Sequence, residues 1–349
     1  MVRWKDAQKT WVRLSQSLLI RSLNLLPAKQ CMTTRLFFAT DLHGSDLAFR
    51  KFLSAANAYK TKILVLGGDI TGKFLVPIEK QSTGTYLAAF LGQNQVVNSE
   101  RDLEILEKKI ADSGSYSFRA TTDELVKLNS DPAEINGVFR KQITDRLRRW
   151  LALCEQVRAL GVEIYATGGN DDEYYVDEIL QASKSIINPA TEPVQLDDRY
   201  EMISCPYGNL TPFKCPRDIS EDELRAKIEE ETNKVKDFQN AIFNFHVPPV
   251  DSSLDRCPKL DTNTNPPTPI VERGEVQMYG AGSLAVRAAI EKCQPLLGLH
   301  GHIHESRGIT RIGRTLCCNP GSEYSEGIVR GVIVNLDNHK VRSYQLTSG

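Results

Sequence analysis

The sequence predicts an α/β protein in which two mixed sheets lie between flanking helices. Two observations predict this class: short apolar strands alternate with helices in the first half of the chain, and the last part reads as successive strands. In order, the predicted strands are Leu36–Thr40, Ile63–Leu66, Val162–Ala166, Tyr200–Ser204, Ala241–Phe245, Leu296–Leu299, Gly308–Ile312, Thr315–Cys318, Ile328–Leu336 and Val341–Leu346.

Capping residues mark where the helices begin. Asp131 stands before Pro132, which suits the first position of a long helix. Ser220 and Glu223 have the spacing of a capping box, which opens a charged helix. The predicted helices are Asp46–Ala58, Pro132–Leu160, Ser220 to about Phe238, and Ser283–Lys292.

We expect one domain over residues 32–349, preceded by an N-terminal extension over residues 1–31. The extension is basic, with Trp and Leu at near-helical spacing, so an amphipathic helix and a poorly ordered segment both remain open. Residues 80–160 exceed a normal crossover and predict a helical insertion. Residues 251–276, rich in Pro, Asn and Thr, predict a long loop.

Composition narrows the class of function. The 43 basic and 44 acidic residues give a net charge of −1, so no global field attracts extended nucleic acid or an anionic membrane. The eight cysteines form no CxxC pair, which predicts reduced thiols and a cytoplasmic location. No apolar run approaches the roughly 18 residues of a membrane span, so we expect no integral membrane association.

Polar, ligand-type residues follow five of the predicted strands, most of them beside glycine. In open α/β sheets the carboxyl ends of strands are where ligands bind, and glycine leaves space around a ligand. The five stretches are Asp41-Leu42-His43-Gly44, Gly67-Gly68-Asp69, Gly168-Gly169-Asn170-Asp171-Asp172, the single His246, and His300-Gly301-His302-Ile303-His304.

These residue types suit a metal site. Asp, His and Asn side chains together suit Mn²⁺, Fe, Zn²⁺ or Co²⁺, and no cysteine falls in the set, which argues against a structural thiolate zinc site. The carboxylate of Asp69 has two oxygens with which it could bridge two cations. Two such cations about 3.5–4 Å apart can clamp a phosphoryl group and generate hydroxide near neutral pH.

This ordered set resembles the calcineurin-like metallophosphoesterase superfamily, whose pattern is Asp-x-His, Gly-Asp, Gly-Asn followed by His or Asp, a lone His, and Gly-His-x-His. All five blocks occur in that order over residues 41–304. The resemblance implies a four-layer αββα sandwich and a phosphohydrolase in which a metal-bridging hydroxide attacks phosphorus. It implies one divalent ion held by Asp41, His43, Asp69 and His304, and a second held by Asp69, Asn170, His246 and His302. His300 has no ligand role in that pattern.

One position differs from what many members of the superfamily have. Many members have a histidine directly after the motif asparagine, where it contacts phosphate or protonates the leaving group; this chain has Asp171 after Asn170. We therefore consider Asn170 and Asp171 as catalytic candidates. Either Asp171 or a metal-bound water would protonate the leaving oxygen, or the substrates have good leaving groups; alternatively, Asp171 merely orients a ligand histidine or a loop.

Other positions indicate which group of the superfamily the chain resembles. Gly72 stands where purple acid phosphatases have a metal-binding tyrosine, and Ile70-Thr71-Gly72-Lys73 lacks the Asp-Arg-Gly extension of Ser/Thr protein phosphatases. Asn319-Pro320-Gly321-Ser322 is similar to a segment of prokaryotic phosphodiesterase-type members, including the branch related to cyclic-AMP phosphodiesterase, although a plain turn between strands would have the same composition.

Three functions stay open from the sequence. The first is a phosphodiesterase acting on a small phosphoester or nucleotide, the second a phosphomonoesterase with the same site, and the third a catalytically silent scaffold that binds partners. Scaffold versions usually lose ligand residues, whereas this chain keeps all seven. The sequence leaves the oligomeric state and the choice among Mn²⁺, Fe and Zn²⁺ open.

Overall fold

The structure is a computed structural model that describes residues 33–264 and 266–349. The predicted N-terminal extension therefore lies outside the described residues. Numbered in chain order, the described α-helices are α1 (Asp46–Ala58), α2 (Glu100–Asp112), α3 (Thr122–Ser130), α4 (Pro132–Arg158), α5 (Tyr175–Gln181), α6 (Glu221–Thr232) and α7 (Leu284–Cys293). A 3₁₀ turn spans Tyr324–Glu326.

The strands are also numbered in chain order. They are β1 (Thr34–Ala39), β2 (Ile63–Leu66), β3 (Leu75–Lys80), β4 (Tyr86–Phe90), β5 (Gln93–Val97), β6 (Tyr116–Thr121), β7 (Glu163–Ala166), β8 (Val194–Gln195), β9 (Glu201–Cys205), β10 (Gly208–Asn209), β11 (Asp218–Ile219), β12 (Ala241–Phe245), β13 (Arg256–Pro258), β14 (Leu260–Asp261), β15 (Thr268–Pro269), β16 (Val271–Glu272), β17 (Glu275–Val276), β18 (Met278–Gly280), β19 (Leu297–Leu299), β20 (Gly308–Ile312), β21 (Thr315–Asn319), β22 (Arg330–Asp337) and β23 (Lys340–Ser348).

Two mixed sheets form the centre of the fold. The first has the order β23-β22-β1-β2-β7, and the second the order β20-β21-β19-β12-β9-β8. In the first sheet β1, β2 and β7 are parallel, while β22 and β23 join as antiparallel strands. In the second sheet β9, β12, β19 and β21 are parallel, with antiparallel strands at both edges. The α/β class with mixed sheets is therefore confirmed.

Alternating residues of the central strands face two different cores. In β1, Phe37 packs with α1 and α4, whereas Leu36 and Phe38 pack with residues of the second sheet. In β21 the adjacent Cys317 and Cys318 likewise lie in different cores. Because successive side chains of a strand point to opposite faces, both faces are buried. This explains why these strands read as continuous apolar runs.

The helix starts follow the predicted capping residues. The Asp131 side chain accepts a hydrogen bond from the backbone of α4 with Pro132 in the first turn, and Ser220 with Glu223 forms a complete capping box on α6. Helix α1 has the predicted bounds. Helix α6 ends at Thr232, six residues before the predicted end at Phe238.

The predicted helical insertion at 80–160 is wrong in part. Residues 75–121 contain a four-stranded sheet of order β5-β4-β3-β6, covered by α2. The last helix of the segment, α4, belongs to the main core, where Leu147 and Trp150 are buried beside the first sheet. The residue propensities did not predict the sheet formed by β3, β4, β5 and β6. Its strands are short and partly exposed, so they lack a continuous apolar run.

The predicted long loop at 251–276 is also wrong in part. Within the described residues, 256–280 form a narrow ribbon in which β13 pairs with β18, β14 with β15, and β16 with β17. Backbone hydrogen bonds between Lys259 and Gln277 and between Ile270 and Lys259 continue the ribbon between these pairs. The prolines stand where they do not interrupt this pairing, so composition alone was misleading.

Two further sequence expectations bear on cysteines and membranes. The seven cysteines of the described chain are all free thiols. None of the helices over residues 33–264 and 266–349 combines the length and the apolar character needed to cross a membrane.

Candidate metal centre

The structure brings all seven predicted ligand residues together at the carboxyl ends of parallel strands. The first sheet supplies residues that follow β1, β2 and β7, and the second sheet supplies residues that follow β12 and β19. They are Asp41, His43, Asp69, Asn170, His246, His302 and His304, of which the first five are buried and the last two are half-buried. The site therefore lies at the carboxyl ends of parallel strands from both sheets.

One group of donors comprises Asp41, His43 and His304. Their ligand atoms all lie within 4.8 Å of one another. The Nε2 atoms of His43 and His304 are 3.1 Å apart, and Nε2 of His304 is 3.5 Å from Oδ1 of Asp41. Both of these distances are below about 4.4 Å, the largest separation of two donors that each lie about 2.0–2.2 Å from one ion, so this group could hold a metal ion.

A second group comprises Asp69, His246 and His302, again with ligand atoms within 4.8 Å of one another. Nε2 of His246 is 3.3 Å from Oδ2 of Asp69. Asn170 joins this group, because its Oδ1 lies 2.8 Å from Nδ1 of His302 and 3.1 Å from Nε2 of His246. This group also fits one cation.

The two groups adjoin each other. Oδ2 of Asp69 lies 3.7 Å from Nε2 of His43, and Nε2 of His246 lies 3.8 Å from Oδ1 of Asp41. A third combination of donors, His43, Asp69 and Asp171, also has its ligand atoms within 4.8 Å of one another. Asp69 thus stands between the two groups, and Asp171 lies at their border.

The electrostatics of the site favour cation binding. Burial by itself would raise the pKa of Asp41, but the imidazoles of His304 and His246 hold that pKa well below its usual range. For Asp69, burial is likewise outweighed by His246, and its pKa is lowered. Both carboxylates are therefore ionised, although each is almost completely buried.

The histidines differ in their readiness to bind a metal. Burial holds the pKa of His43 well below 6.5, with the Lys73 cation adding to the effect. Burial and the neighbouring His246 lower the pKa of His302 to about 4. Burial opposes protonation of His246, but the Asp69 carboxylate raises its pKa to about 9. A metal ligand must be unprotonated, so His246 has to release a proton when a cation binds. The buried Nδ1 of His43 has no hydrogen-bond partner among the described residues.

Four ligand residues have left-handed backbone conformations. The φ angles are +54° at Asp41, +40° at His43, +47° at Asp69 and +67° at His302. Residues other than glycine rarely adopt these angles, and they cost about 1–3 kcal/mol each unless the surroundings impose them. Such outliers cluster at functional sites, and here they coincide with the predicted ligands.

Glycines beside the ligands leave the space that close approach requires. A Cβ atom on Gly68 would lie 2.2 Å from Nδ1 of His246, and one on Gly301 would lie 2.3 Å from Oδ2 of Asp41. A Cβ on Gly169 would lie 2.1 Å from Oδ1 of Asp69. These distances are shorter than any real Cβ contact, so a side chain at any of the three would displace a ligand.

Asp172 holds two of the ligand loops together. Its buried carboxylate accepts hydrogen bonds from the backbone N–H groups of Ile70, Thr71 and Gly169, and from the hydroxyl of Thr71. The first two residues follow Asp69, and the third precedes Asn170. Burial and the neighbouring Asp69 raise the pKa of Asp172 to about 6. The sequence showed Asp172 only as part of the third stretch.

The Asn-Pro-Gly-Ser segment supports the histidine loop. The side-chain amide of buried Asn319 donates toward the carbonyls of Gly301 and Ile303, at 3.3 and 2.9 Å. The hydroxyl of Ser322 donates to the carbonyl of Asp41 at 2.6 Å, and its N–H donates to the carbonyl of His304 at 3.2 Å. The segment thus ties the first and last ligand stretches together.

His300 lies outside both donor groups. It is completely buried, and its Nδ1 lies 2.8 Å from the carbonyl of Phe245 and 3.2 Å from that of Val247. These carbonyls flank His246, so His300 supports the backbone of a ligand residue.

Asp171 contacts two residues that sequence reasoning missed. Its Oδ2 forms an ion pair with Nζ of Lys73, and its Oδ1 accepts a hydrogen bond of 2.6 Å from the thiol of Cys215. Burial opposes it, but the carboxylates of Asp171 and Asp69 raise the pKa of Lys73, so this side chain stays charged. No short-range pattern connects these residues, which come from different loops.

A third missed residue is Tyr324. Its ring centroid lies 4.6 Å from that of His43 and 6.0 Å from that of His304. It therefore packs against two ligands of the first donor group. Burial raises the pKa of its hydroxyl, so the phenol is neutral at physiological pH.

The ligand residues open into a cavity of about 560 Å³. This is the size range of small-molecule sites, about 300–1,000 Å³. The end of the cavity nearest the donor groups is lined by Asp69, Asn170, Asp171, His302, His304 and Lys73. The cavity thus places residues that could hold metal ions beside the ammonium group of Lys73.

Comparisons with known proteins place the fold but not the activity. No family model matches the chain. It is 27% identical over 161 residues to an uncharacterized protein of Methanocaldococcus jannaschii, in an alignment that covers 46% of this chain and 64% of that protein. The chain thus spans less than two thirds of that relative's length.

The solved structures give a likeness of fold. One crystal structure, 16% identical, matches with a TM-score of 0.54 and covers 91% of this chain and 99% of its own. A protein of Thermus thermophilus matches at a TM-score of 0.47 with 11% identity, over 91% of this chain and 99% of its own. A novel archaeal phosphodiesterase matches at 0.33 with 12% identity, over 90% and 100%. Of these likenesses, the first shows a shared fold and nothing beyond the fold.

Proposed function

We propose that the protein is a dinuclear metal-dependent phosphohydrolase of the calcineurin-like metallophosphoesterase superfamily, and that it cleaves phosphodiesters. The observation that carries the proposal is the pair of adjoining donor groups, Asp41 with His43 and His304, and Asp69 with His246 and His302. Their order along the chain is that of the resembled family, and they open into a cavity of small-molecule size.

The donor set fits two divalent cations. Asp41, His43, Asp69 and His304 would hold the first, and Asp69, Asn170, His246 and His302 the second. Bound there, Mn²⁺, Fe or Zn²⁺ would lower the pKa of water and offset negative charge on phosphoryl oxygens. The half-buried His302 and His304 stand on the cavity side, where an ester would approach.

The Lys73–Asp171 pair supports a site that accepts phosphate with an aspartate in place of the usual histidine. The ammonium of Lys73 offsets the charge of Asp171, so the carboxylate would not repel an incoming phosphate. Lys73 is 40% exposed at its side chain and lines the cavity, where its remaining N–H groups would donate to a phosphoryl oxygen. Asp171 would then position Lys73.

A role of Asp171 in protonating the leaving group is a separate part of the proposal. Its two oxygens are already engaged by Lys73 and by the Cys215 thiol. The test is Asp171→Asn, assayed on alkyl and aryl esters over a range of pH. Unchanged turnover and an unchanged pH profile on both kinds of ester would rule out proton transfer through Asp171.

Two features support the proposed fold and branch. Helices α1 and α4 pack on one sheet and α6 and α7 on the other, while the facing sides of the sheets share a core. This order supports the four-layer αββα sandwich of the family. The contacts of Asn319 and Ser322 support the resemblance to the prokaryotic phosphodiesterase-type branch.

The free thiols of the described residues favour a reducing compartment such as the cytoplasm.

The decisive experiment is hydrolysis of bis-p-nitrophenyl phosphate beside p-nitrophenyl phosphate with added Mn²⁺. We expect turnover of the diester that Asp69→Asn abolishes, together with a lower metal content of that variant. Asp123→Asn, at an exposed aspartate of α3, is the matched control. Preference for the monoester would favour the phosphomonoesterase, and bound metal without turnover of either ester would favour the scaffold.

A further inference from the structure

Two chemically different sets of residues line the cavity. One set comprises members of the donor groups and the Lys73–Asp171 pair. The other set consists of apolar side chains from two separate segments: Leu210, Pro212 and Phe213 from residues 209–215, and Pro258, Leu260, Pro267, Pro269 and Tyr279 from the ribbon of residues 256–280. We refer to these eight residues as the apolar wall.

Several side chains of the apolar wall are unusually exposed. The exposed fraction is 70% for Leu210, 62% for Phe213 and 38% for Tyr279. Large apolar groups that gather around one cavity at this exposure mark a binding surface more often than an isolated exposed residue does. Aromatic and apolar linings with a few polar anchors are typical of small-molecule sites.

The segments of the apolar wall are fixed to the donor groups. Asp218 accepts a hydrogen bond of 2.9 Å from the side chain of Asn170 and one of 3.0 Å from the backbone of Thr211. The side chain of Asn209 donates to the carbonyl of Ala281 at 3.3 Å, which connects residues 209–215 to the end of the ribbon. The wall therefore keeps a defined position relative to the ligand Asn170.

Charge is distributed unevenly along the cavity. The charged residues among its described lining are Asp69, Lys73, Asp171 and Glu305. Lys73 is the one cation of this set, and it is paired with Asp171. No Lys or Arg other than Lys73 is among the described residues that line the cavity, so a second phosphate or carboxylate would have no cation of its own there. A substrate with its phosphoryl group at the donor groups would place its ester substituent against this wall.

We propose that the apolar wall binds a large, uncharged, apolar ester substituent of the substrate, so that the preferred phosphoesters have one phosphate and no second anionic group. This rests on the proposed phosphohydrolase function, because the phosphoryl group must lie at the donor groups for the substituent to reach the wall. An aryl ring and an alkyl chain share this chemistry.

Calorimetric binding of phosphonates to the full-length protein in Mn²⁺ tests the inference without requiring turnover. The probes are methylphosphonate, benzylphosphonate, decylphosphonate and 4-carboxybenzylphosphonate. We expect benzylphosphonate or decylphosphonate to bind at least tenfold tighter than methylphosphonate, about 1.4 kcal/mol. We expect the added carboxylate to remove most of that gain.

Matched variants locate the binding. Leu210→Ala and Tyr279→Ala should each lower the affinity for the apolar probes several-fold and leave that for methylphosphonate unchanged. Their controls are Leu160→Ala and Tyr344→Ala, at residues that are 79% and 48% exposed and lie outside the cavity. Tighter binding of the benzyl probe would indicate a ring, and tighter binding of the decyl probe an alkyl chain; either supports the inference.

Different experimental results would contradict the apolar subsite and the proposed hydrolase activity. Equal affinities for methyl-, benzyl- and decylphosphonate, absence of binding by the apolar probes, or full affinity in both cavity variants would overturn the apolar wall as a subsite. Selective binding that both cavity variants lose, without hydrolysis of any ester by the wild-type protein, would uphold the subsite and overturn the hydrolase.

Discussion

Removing the side chain of Asn319 should destabilise the protein and weaken metal binding together. The buried amide donates to the carbonyls of Leu254, Gly301 and Ile303, and its oxygen accepts a 2.8 Å hydrogen bond from the N–H of Gly321. Asn319→Ala leaves the carbonyl of Leu254 and the N–H of Gly321 without partners, whereas the carbonyls of Gly301 and Ile303 still accept hydrogen bonds from the N–H groups of Ile303 and Ser306. At roughly 1–3 kcal/mol for each buried unsatisfied group, the free energy of unfolding should fall by at least about 2 kcal/mol.

The functional effect follows from where those partners lie. Gly301 and Ile303 alternate with His302 and His304, so the loss of their anchor loosens both ligands. Removing a residue that orients metal ligands typically lowers metal affinity about 10- to 100-fold. Urea denaturation of the metal-free protein measures the first effect, and calorimetry with Mn²⁺ measures the second.

Asn335→Ala is the control for this experiment. Asn335 makes side-chain hydrogen bonds of 2.7 Å with Arg35 and 2.9 Å with Ser343, but these bonds between β1, β22 and β23 are exposed to solvent. Its removal should change the free energy of unfolding by about 0.5 kcal/mol and leave metal affinity unaltered. If Asn319→Ala had the same unfolding free energy as Asn335→Ala and bound Mn²⁺ equally well, the anchoring argument would be refuted.

Three further predictions concern the site. Lys73→Met should lower kcat/KM for bis-p-nitrophenyl phosphate about tenfold or more, because a charge-assisted donor is lost; Lys108→Met, at an exposed lysine, should behave as wild type, and equal kinetics for both variants would contradict the role of Lys73. In the metal-free protein the pKa of His246 is raised from 6.5 to about 9, so its contribution to stability is fully present below pH 6.5 and is lost as the pH rises through 9; a level urea-denaturation profile across that window would refute this. Gly68→Ala should abolish Mn²⁺ binding in calorimetry by displacing His246, whereas Gly84→Ala, also at positive φ but in open space, should bind Mn²⁺ normally; retained binding in both would show that the loop adapts.

That the candidate ligands lie close together was predictable because their positions depend on local features. Each ligand stretch follows an apolar strand, and glycine stands beside most of them. Parallel strands carry their carboxyl ends to one edge of a sheet, which makes residues as distant as Asp41 and His304 neighbours. The partners of Asp171 were not predictable in this way. Lys73 and Cys215 reach it from separate loops, and nothing short of the packed fold indicates their meeting.

The small sheet and the ribbon were missed because of their turns. β4 and β5 are joined by the two residues Leu91 and Gly92, and β16 and β17 by Arg273 and Gly274, all at positive φ. Two-residue hairpin turns of this geometry usually begin with Asn, Asp or Gly. Leucine and arginine give no such signal, so composition indicated a helical segment and a loop where the chain forms hairpins.

The position of β1 in the first sheet has a consequence for synthesis of the protein. β1 pairs on one side with β2 at Ile63–Leu66, and on the other with β22 at Arg330–Asp337. In a nascent chain, one edge of β1, directly before Asp41 and His43, therefore stays unpaired until β22 has been translated. Contacts between such distant segments form slowly, and unpaired edges are prone to association in the interval. The donor residues should thus reach their final arrangement only after β22 has been made, and metal uptake during synthesis would report the pairing of β22 with β1.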